Sequence, residues 1–300
     1  MTTRHLLDIA SLSAQDLRNI LSLSVSTKPM KKKPLLNRGV ALIFEKPSNR
    51  TRHSMEMAVV SLGGHPVYTR GEEIGFDTRE SVEDVARIMA GYHAVLAARV
   101  FSHSVVERMA AVSSVPVVNM LSDMSHPLQA LADVITMEEH CGPLSELTIA
   151  WLGDYNNVAR SLGEAVCKLG GTISFGCPTG YAPDEHELTR LLSFGGSANT
   201  TTDPLEAARG ANVVHTDTWI SMGQEEEAVE RRKIFGAYQV DAKVMSVAAS
   251  SAKFMHCMPA HRGEEVSTEV FDGPSSLVIQ QGHHRLTSAR GALAWVMEKA

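Results

Sequence analysis

Short apolar runs of about five residues alternate along this chain with stretches of helical periodicity, and each run stops at a polar cluster. That alternation constrains the fold more than any other feature. The runs at 40–44, 94–98, 115–120, 147–152, 172–176, 212–216 and 253–256 read as strands. The segments at 51–62, 82–92, 105–112, 128–139 and 158–169 read as helices, the first closed by Gly63-Gly64. A helix also begins behind Ser13, with Asp16 three residues on and Leu17, Ile20 and Leu21 at helical spacing. Strands that are apolar on both faces belong in parallel sheets, because each crossover lays a helix over the sheet. The predicted class is α/β: two open parallel-sheet βα domains with helices on both faces. Three hundred residues exceed one ordinary core, and the segment 139–146, with Gly142-Pro143, is the expected boundary.

Composition narrows the function by exclusion. Lys and Arg total 28 against 34 Asp and Glu, a net charge of −6, which argues against nucleic acid as a partner. No apolar stretch approaches the ~18 residues that span a membrane. Asp8 interrupts the one candidate signal-peptide core. Cys141, Cys167, Cys177 and Cys257 show no CxxC spacing, so the expectation is a reduced, cytoplasmic protein. Lys28 and Lys31 to Lys33, closed by Pro34, read as a solvated basic loop.

In open α/β sheets ligands sit beyond the carboxyl ends of the strands, so the residues after each strand carry the information. Ser48-Asn49-Arg50-Thr51-Arg52 follows a strand and opens a helix. Free N–H groups, hydroxyls and two guanidinium groups there suit a phosphate, and the run matches neither common nucleotide loop. His126-Pro127-Leu128-Gln129 could orient a small carbonyl or amide, or could hold a buried structural histidine. Gly153-Asp154-Tyr155-Asn156-Asn157 places Asn157 at a helix start, either as a simple cap or as a holder of a polar group. Asp217, with Ser221 and the Met222 backbone nearby, offers a negative charge to an amine, or is a stray acid in a glycine-containing loop. His256-Cys257-Met258-Pro259-Ala260-His261-Arg262-Gly263 allows a thiol nucleophile, a hydrogen-bonding thiol or a zinc site. Strand neighbours point to opposite faces, which weighs against His256 and Cys257 sharing one ion.

Together these motifs resemble the aspartate/ornithine carbamoyltransferase family over essentially the whole chain. Ser-x-Arg-Thr-Arg is the pattern common to that family, and Asp217 to Gly223 and His256 to Gly263 resemble its ornithine branch. The resemblance implies transfer of a carbamoyl group from carbamoyl phosphate to the δ-amine of L-ornithine, with no cofactor and no metal. It implies a homotrimer with shared active sites. Residues 1–140, joined by a C-terminal helix at about 285–300, are then the carbamoyl phosphate-binding domain, and residues 141–284 the ornithine-binding domain. Ser48, Asn49, Arg50, Thr51, Arg99, His126, Gln129, Cys257, Met258 and Arg285 are implied for carbamoyl phosphate. Asn157, Asp217, Ser221 and Met222 are implied for ornithine, and Arg99, His126 and Cys257 for catalysis. The chain departs from the family pattern at Leu128, usually Cys, and at Val85, usually Thr. It departs again at Gly75, where a neighbouring subunit normally lends Gln or His, and at His283-His284, usually Glu-Asn. Gly75 and His283-His284 motivate one alternative, a binding or regulatory protein built on a catalytically impaired relative. A second keeps the chemistry and changes the amine, for example to a modified ornithine, and the intact Asp217 and Ser221-Met222-Gly223 argue against it.

Overall fold

The computed structural model describes residues 3–26, 33–220 and 225–298. Lys28, Lys31 and Lys32 of the basic loop lie outside them, as do Ser221, Met222 and Gly223. The chain divides into two compact units, Met1–Ala132 with His283–Ala300, and Asp133–Gly282.

In the first unit α1 (Ala14–Val25) leads to β1 (Gly39–Phe44), α2 (Asn49–Ser61), β2 (His65–Arg70) and α3 (Gly71–Ile74). Next come α4 (Val82–Ala90), β3 (Val95–Arg99), α5 (His103–Val112) and β4 (Val117–Leu121). The Ser13 hydroxyl accepts from the Asp16 N–H at 3.0 Å, the cap its spacing predicts. The sheet runs β2-β1-β3-β4, all parallel, with Val40 opposite Val95 and Phe44 opposite Arg99. Ile43, Leu96, Val106 and Met109 pack one face. Burying each such side chain stabilises by roughly 1.5–3 kcal/mol.

The helix α6 (Pro127–Cys141) begins in the first unit and ends in the second. The second unit continues with β5 (Thr148–Leu152), α7 (Asn157–Lys168), β6 (Thr172–Gly176), α8 (Glu185–Leu192), β7 (Ser197–Thr201), α9 (Pro204–Ala208) and β8 (Val213–Thr216). It ends with α10 (Ala228–Phe235), α11 (Ala242–Val247), β9 (Lys253–His256), α12 (Thr268–Phe271) and the start of α13 (Val278–Met297). This sheet runs β7-β6-β5-β8-β9, again all parallel.

Both sheets are doubly wound, the class that the alternation predicts. β2 and β7 escape sequence reading because both are exposed edge strands without an apolar run, unlike the edge strands β4 and β9, which are buried. His65–Arg70 is partly exposed along its length and contains Pro66, which an edge strand tolerates. Ser197–Thr201 is polar and mostly exposed. Strand order reverses between β1 and β3 in one sheet and between β5 and β8 in the other, the switch points where open sheets bind ligands.

Candidate functional site

In the first unit the switch point is cationic. Ser48 is the N-cap of α2, and its hydroxyl lies 3.1 Å from the Thr51 hydroxyl rather than on a helix N–H, leaving the first turn's donors to another acceptor. Arg99 ends β3 and Arg285 stands on α13; both are buried. Arg99 donates to Thr51 Oγ1 at 3.4 Å, and Arg285 donates to the same oxygen at 3.0 Å. Arg285 also donates to Gln129 Oε1 and, at 3.2 Å, to His126 Nε2. A guanidinium only donates, so His126 Nε2 accepts and the ring proton sits on Nδ1. Burial, together with Arg285 and Arg99, holds the His126 pKa well below the ordinary imidazole value. Burial, then Arg285 and Arg50, brings the Arg99 pKa down to about 10. Among the described residues Arg99 has no carboxylate partner, and its Nε has no hydrogen bond. The cluster concentrates positive charge and hydrogen-bond donors, the chemistry an anion requires.

The structure revises the sequence reading of this region in two ways. Arg52 does not join Arg50: it pairs with Glu56 at 2.8 Å and stacks on the Tyr68 ring at 3.8 Å, on the exposed side of α2. Gly75 caps α3 in the left-handed region, with φ 60°, and a Cβ there would meet Arg79 Cβ and Thr78 Oγ1 at 3.0 Å. A side chain at position 75 is therefore strained. Arg108 anchors that loop with bonds of 2.6 and 2.9 Å to Asp77 and of 2.6 and 2.7 Å to Glu83. Leu128 is buried. Arg285 belongs to the cluster, whereas His283 is exposed.

In the second unit the switch point centres on a carboxylate. Gly153, with φ 128°, turns the chain after β5. Asn156, not Asn157, is the N-cap of α7: its Oδ1 accepts from the Val158 and Ala159 N–H groups, both at 3.0 Å. Its Nδ2 donates to Asp217 Oδ2 at 2.9 Å. Asp217 Oδ1 accepts from its neighbour's N–H (Thr218, 2.7 Å) and from the Cys257 thiol at 2.9 Å. Asn157 is the first residue of α7.

Behind Cys257 lies a network that the sequence reading passed over. The Met258 N–H donates to His256 Nδ1 at 2.8 Å, so the ring proton is on Nε2, which faces Glu265 Oε1 at 3.1 Å. Glu265 also accepts from the His261 N–H at 2.5 Å. Gln281 accepts from the His256 N–H at 2.9 Å, and its amide donates to Asp133 at 2.7 Å and to His215 at 3.0 Å. Ligand atoms of Asp217, His256 and Cys257 come within 4.8 Å of one another, closer than strand alternation predicts. β9 ends at His256, so Cys257 lies outside the regular pleat to which that alternation applies. Both ring nitrogens of His256 are nonetheless engaged.

A guanidinium-rich cluster on one parallel-sheet unit and a carboxylate-centred one on the other define a two-domain α/β protein whose strand-end clusters carry opposite charge. A family model described as the carbamoyl-P binding domain of aspartate/ornithine carbamoyltransferase matches residues 4–139, and one for its Asp/Orn binding domain matches residues 145–296. The chain belongs to the aspartate/ornithine carbamoyltransferase family. It is 41% identical over 300 residues to the ornithine carbamoyltransferase of Rhodopseudomonas palustris, covering 98% of this chain and 96% of that one. An anabolic ornithine carbamoyltransferase from Pyrococcus furiosus is 42% identical over 303 residues, with 98% and 96% covered. Among solved structures, ornithine carbamoyltransferase from P. furiosus matches with a TM-score of 0.94 at 40% identity, covering 100% of this chain and 98% of that one. The anabolic enzyme from Campylobacter jejuni matches with a TM-score of 0.93 at 31% identity, covering 99% and 100%.

Proposed function

We propose that the protein transfers the carbamoyl group of carbamoyl phosphate to the δ-amine of L-ornithine, giving L-citrulline and phosphate. The observation that carries this reading is Arg99, buried without a carboxylate partner beside Arg50 and Arg285. A dianion would relieve that repulsion, and developing negative charge would be stabilised by donors already in place. In this assignment the α2 N-terminus, with Ser48, Asn49, Arg50 and Thr51, receives the phosphate. Arg99, His126 and Thr51 polarise the carbonyl oxygen as the amine nitrogen attacks the carbon, and Arg285 completes the anion pocket. Gln129 holds the carbamoyl amide. The carbon–oxygen bond to phosphate then breaks and the phosphate leaves with the bonding pair. The δ-nitrogen, which shed one proton to become the attacking amine, gives up a second as the new carbon–nitrogen bond forms, and ends with two fewer than the starting ammonium.

Asp217 receives the α-ammonium of ornithine, with Asn157, Ser221 and Met222 on the rest of its α-carbon groups. Cys257 acts as a hydrogen-bonding group: its thiol donates to a carboxylate, so in this arrangement it is protonated and not a nucleophile. The Met258 carbonyl belongs beside the reacting amine. Rate rises with pH as the δ-amine loses its proton. Among the described residues no helix is long and apolar enough to cross a membrane, in keeping with the cytoplasmic location that we also propose. The assembly is a homotrimer, expected at three times the 32.5 kDa chain mass by light scattering. Purified protein given carbamoyl phosphate and ornithine should produce citrulline. Absence of citrulline with carbamoyl phosphate binding retained would favour the impaired relative.

A further inference from the structure

We propose that Arg231, on α10, is a positioning residue for the amino-acid half-site, tying together the two strand ends that carry Asn156 and Asp217. Arg231 is 3% exposed. Its Nε donates to the Trp219 carbonyl at 2.5 Å, and its Nη2 pairs with Asp154 Oδ2. Trp219 lies two residues beyond Asp217, after β8, and Asp154 two residues before Asn156, after β5. The Asn156-to-Asp217 hydrogen bond closes the ring on its other side. One planar fork thus joins two separate strand ends, a geometry a single-point ammonium does not reproduce.

Aromatic packing fixes the fork. The guanidinium stands 5.1 Å from the Tyr181 ring centroid and 5.0 Å from that of Phe235. Trp219 stacks on Phe235 at 6.2 Å and 26°. The Asp154 end is equally held, since its carbonyl accepts from Trp151 Nε1 and from the Asn156 N–H, both at 2.9 Å. Burial raises the Asp154 pKa, the Asp217 charge adds to that, and Arg231 opposes both. Removing Arg231 leaves a half-buried carboxylate beside another and a buried carbonyl without its donor. Each effect drives the two strand ends apart. Among the described residues no hydrogen bond joins Arg231 to Asp217, so its action passes through backbone placement.

This inference rests on the proposed reading that Asp217 binds the ammonium of ornithine. The test compares Arg231→Met and Arg231→Lys with the parent enzyme. In Arg231→Met the KM for ornithine should rise by about tenfold or more, because sub-ångström displacement of a binding carboxylate weakens the ligand strongly. Arg231→Lys restores the charge beside Asp154 but not the fork, and its KM should fall between the two. The KM for carbamoyl phosphate should stay within about twofold, and kcat at saturating ornithine within about fivefold. Hydrogen exchange over 213–220 should quicken in both variants. An unchanged ornithine KM, or equal losses for both substrates, overturns the proposal. If Arg231→Met does not fold, a parental ornithine KM in Arg231→Lys overturns it. If the parent makes no citrulline, the functional reading fails instead. Exchange then decides the tether alone: faster exchange sustains it, and unchanged exchange overturns it.

Discussion

Replacing Arg99 by Met should stabilise the ligand-free protein while destroying its affinity for the anion. The Arg99 pKa is brought down to about 10, well below the ordinary guanidinium value, chiefly through burial and then through Arg285 and Arg50. At about 1.4 kcal/mol per pKa unit, keeping this group charged costs the fold about 3 kcal/mol. Methionine keeps the apolar stem and removes the charge. Its loss leaves no buried acceptor stranded, because Thr51 Oγ1 still receives Arg285 at 3.0 Å. A gain of about 1–3 kcal/mol in unfolding free energy is expected, since the Thr51 contact given up is a long one. The sign with pH follows from linkage. From about pH 10 up toward the ordinary guanidinium range the unfolded chain holds the Arg99 proton that the folded chain releases, so this group's contribution to stability rises with pH there, a rise absent in the variant. Below that window both states are charged and the full penalty applies. The ligand works in the opposite direction. A charge-assisted bond to a dianion is worth about 1.5–3 kcal/mol, so affinity for carbamoyl phosphate or a phosphonate analogue should fall by about 10- to 150-fold. Denaturant unfolding without ligand and titration calorimetry with it measure the two halves. A ligand-free Arg99→Met protein less stable than the parent, or one retaining parental anion affinity, would refute the reasoning.

Other substitutions separate neighbouring roles. Arg50→Ala should lose at least about 3 kcal/mol in kcat/KM, whereas Arg52→Ala, whose guanidinium is engaged with Glu56 and Tyr68, should stay within about threefold. Asp217→Asn should weaken ornithine by about 100-fold while calorimetry finds carbamoyl phosphate affinity intact; equal damage to both titrations would mean the roles are misassigned. Cys257→Ser should retain measurable turnover, since a true nucleophile would lose about three orders of magnitude or more. Gly75→Gln should destabilise by about 1–2 kcal/mol through its left-handed φ, and a melting temperature at or above the parent's would contradict that strain.

The central strands were legible because burial on both faces writes itself into sequence as an unbroken apolar run. Gly39–Phe44 and Val95–Arg99 are such runs, and the polar residues after them mark the switch point. The parallel-sheet class and the clusters around Thr51, Gln129, Asp217 and Cys257 therefore follow from local pattern alone. The exposed edge strands β2 and β7 carry no such signature, and Tyr68, the ring on which Arg52 stacks, sits on β2. That packing, not the motif, turns Arg52 away from Arg50, from which it is separated by Thr51 alone. Asn156 capping α7 in place of Asn157 depended on a one-residue shift in the helix start, below the resolution of periodicity. Glu265, Gln281 and Arg231 are separated in sequence from the strand ends they hold, and nothing local distinguishes them from ordinary helix or loop residues. Their roles arise only when folding buries a polar group and forces it to find a partner. A chain can encode which chemistry stands at the end of each strand through neighbouring residues. How those ends are held relative to one another within a sheet is a property of contacts between distant segments, and only the tertiary structure supplies them.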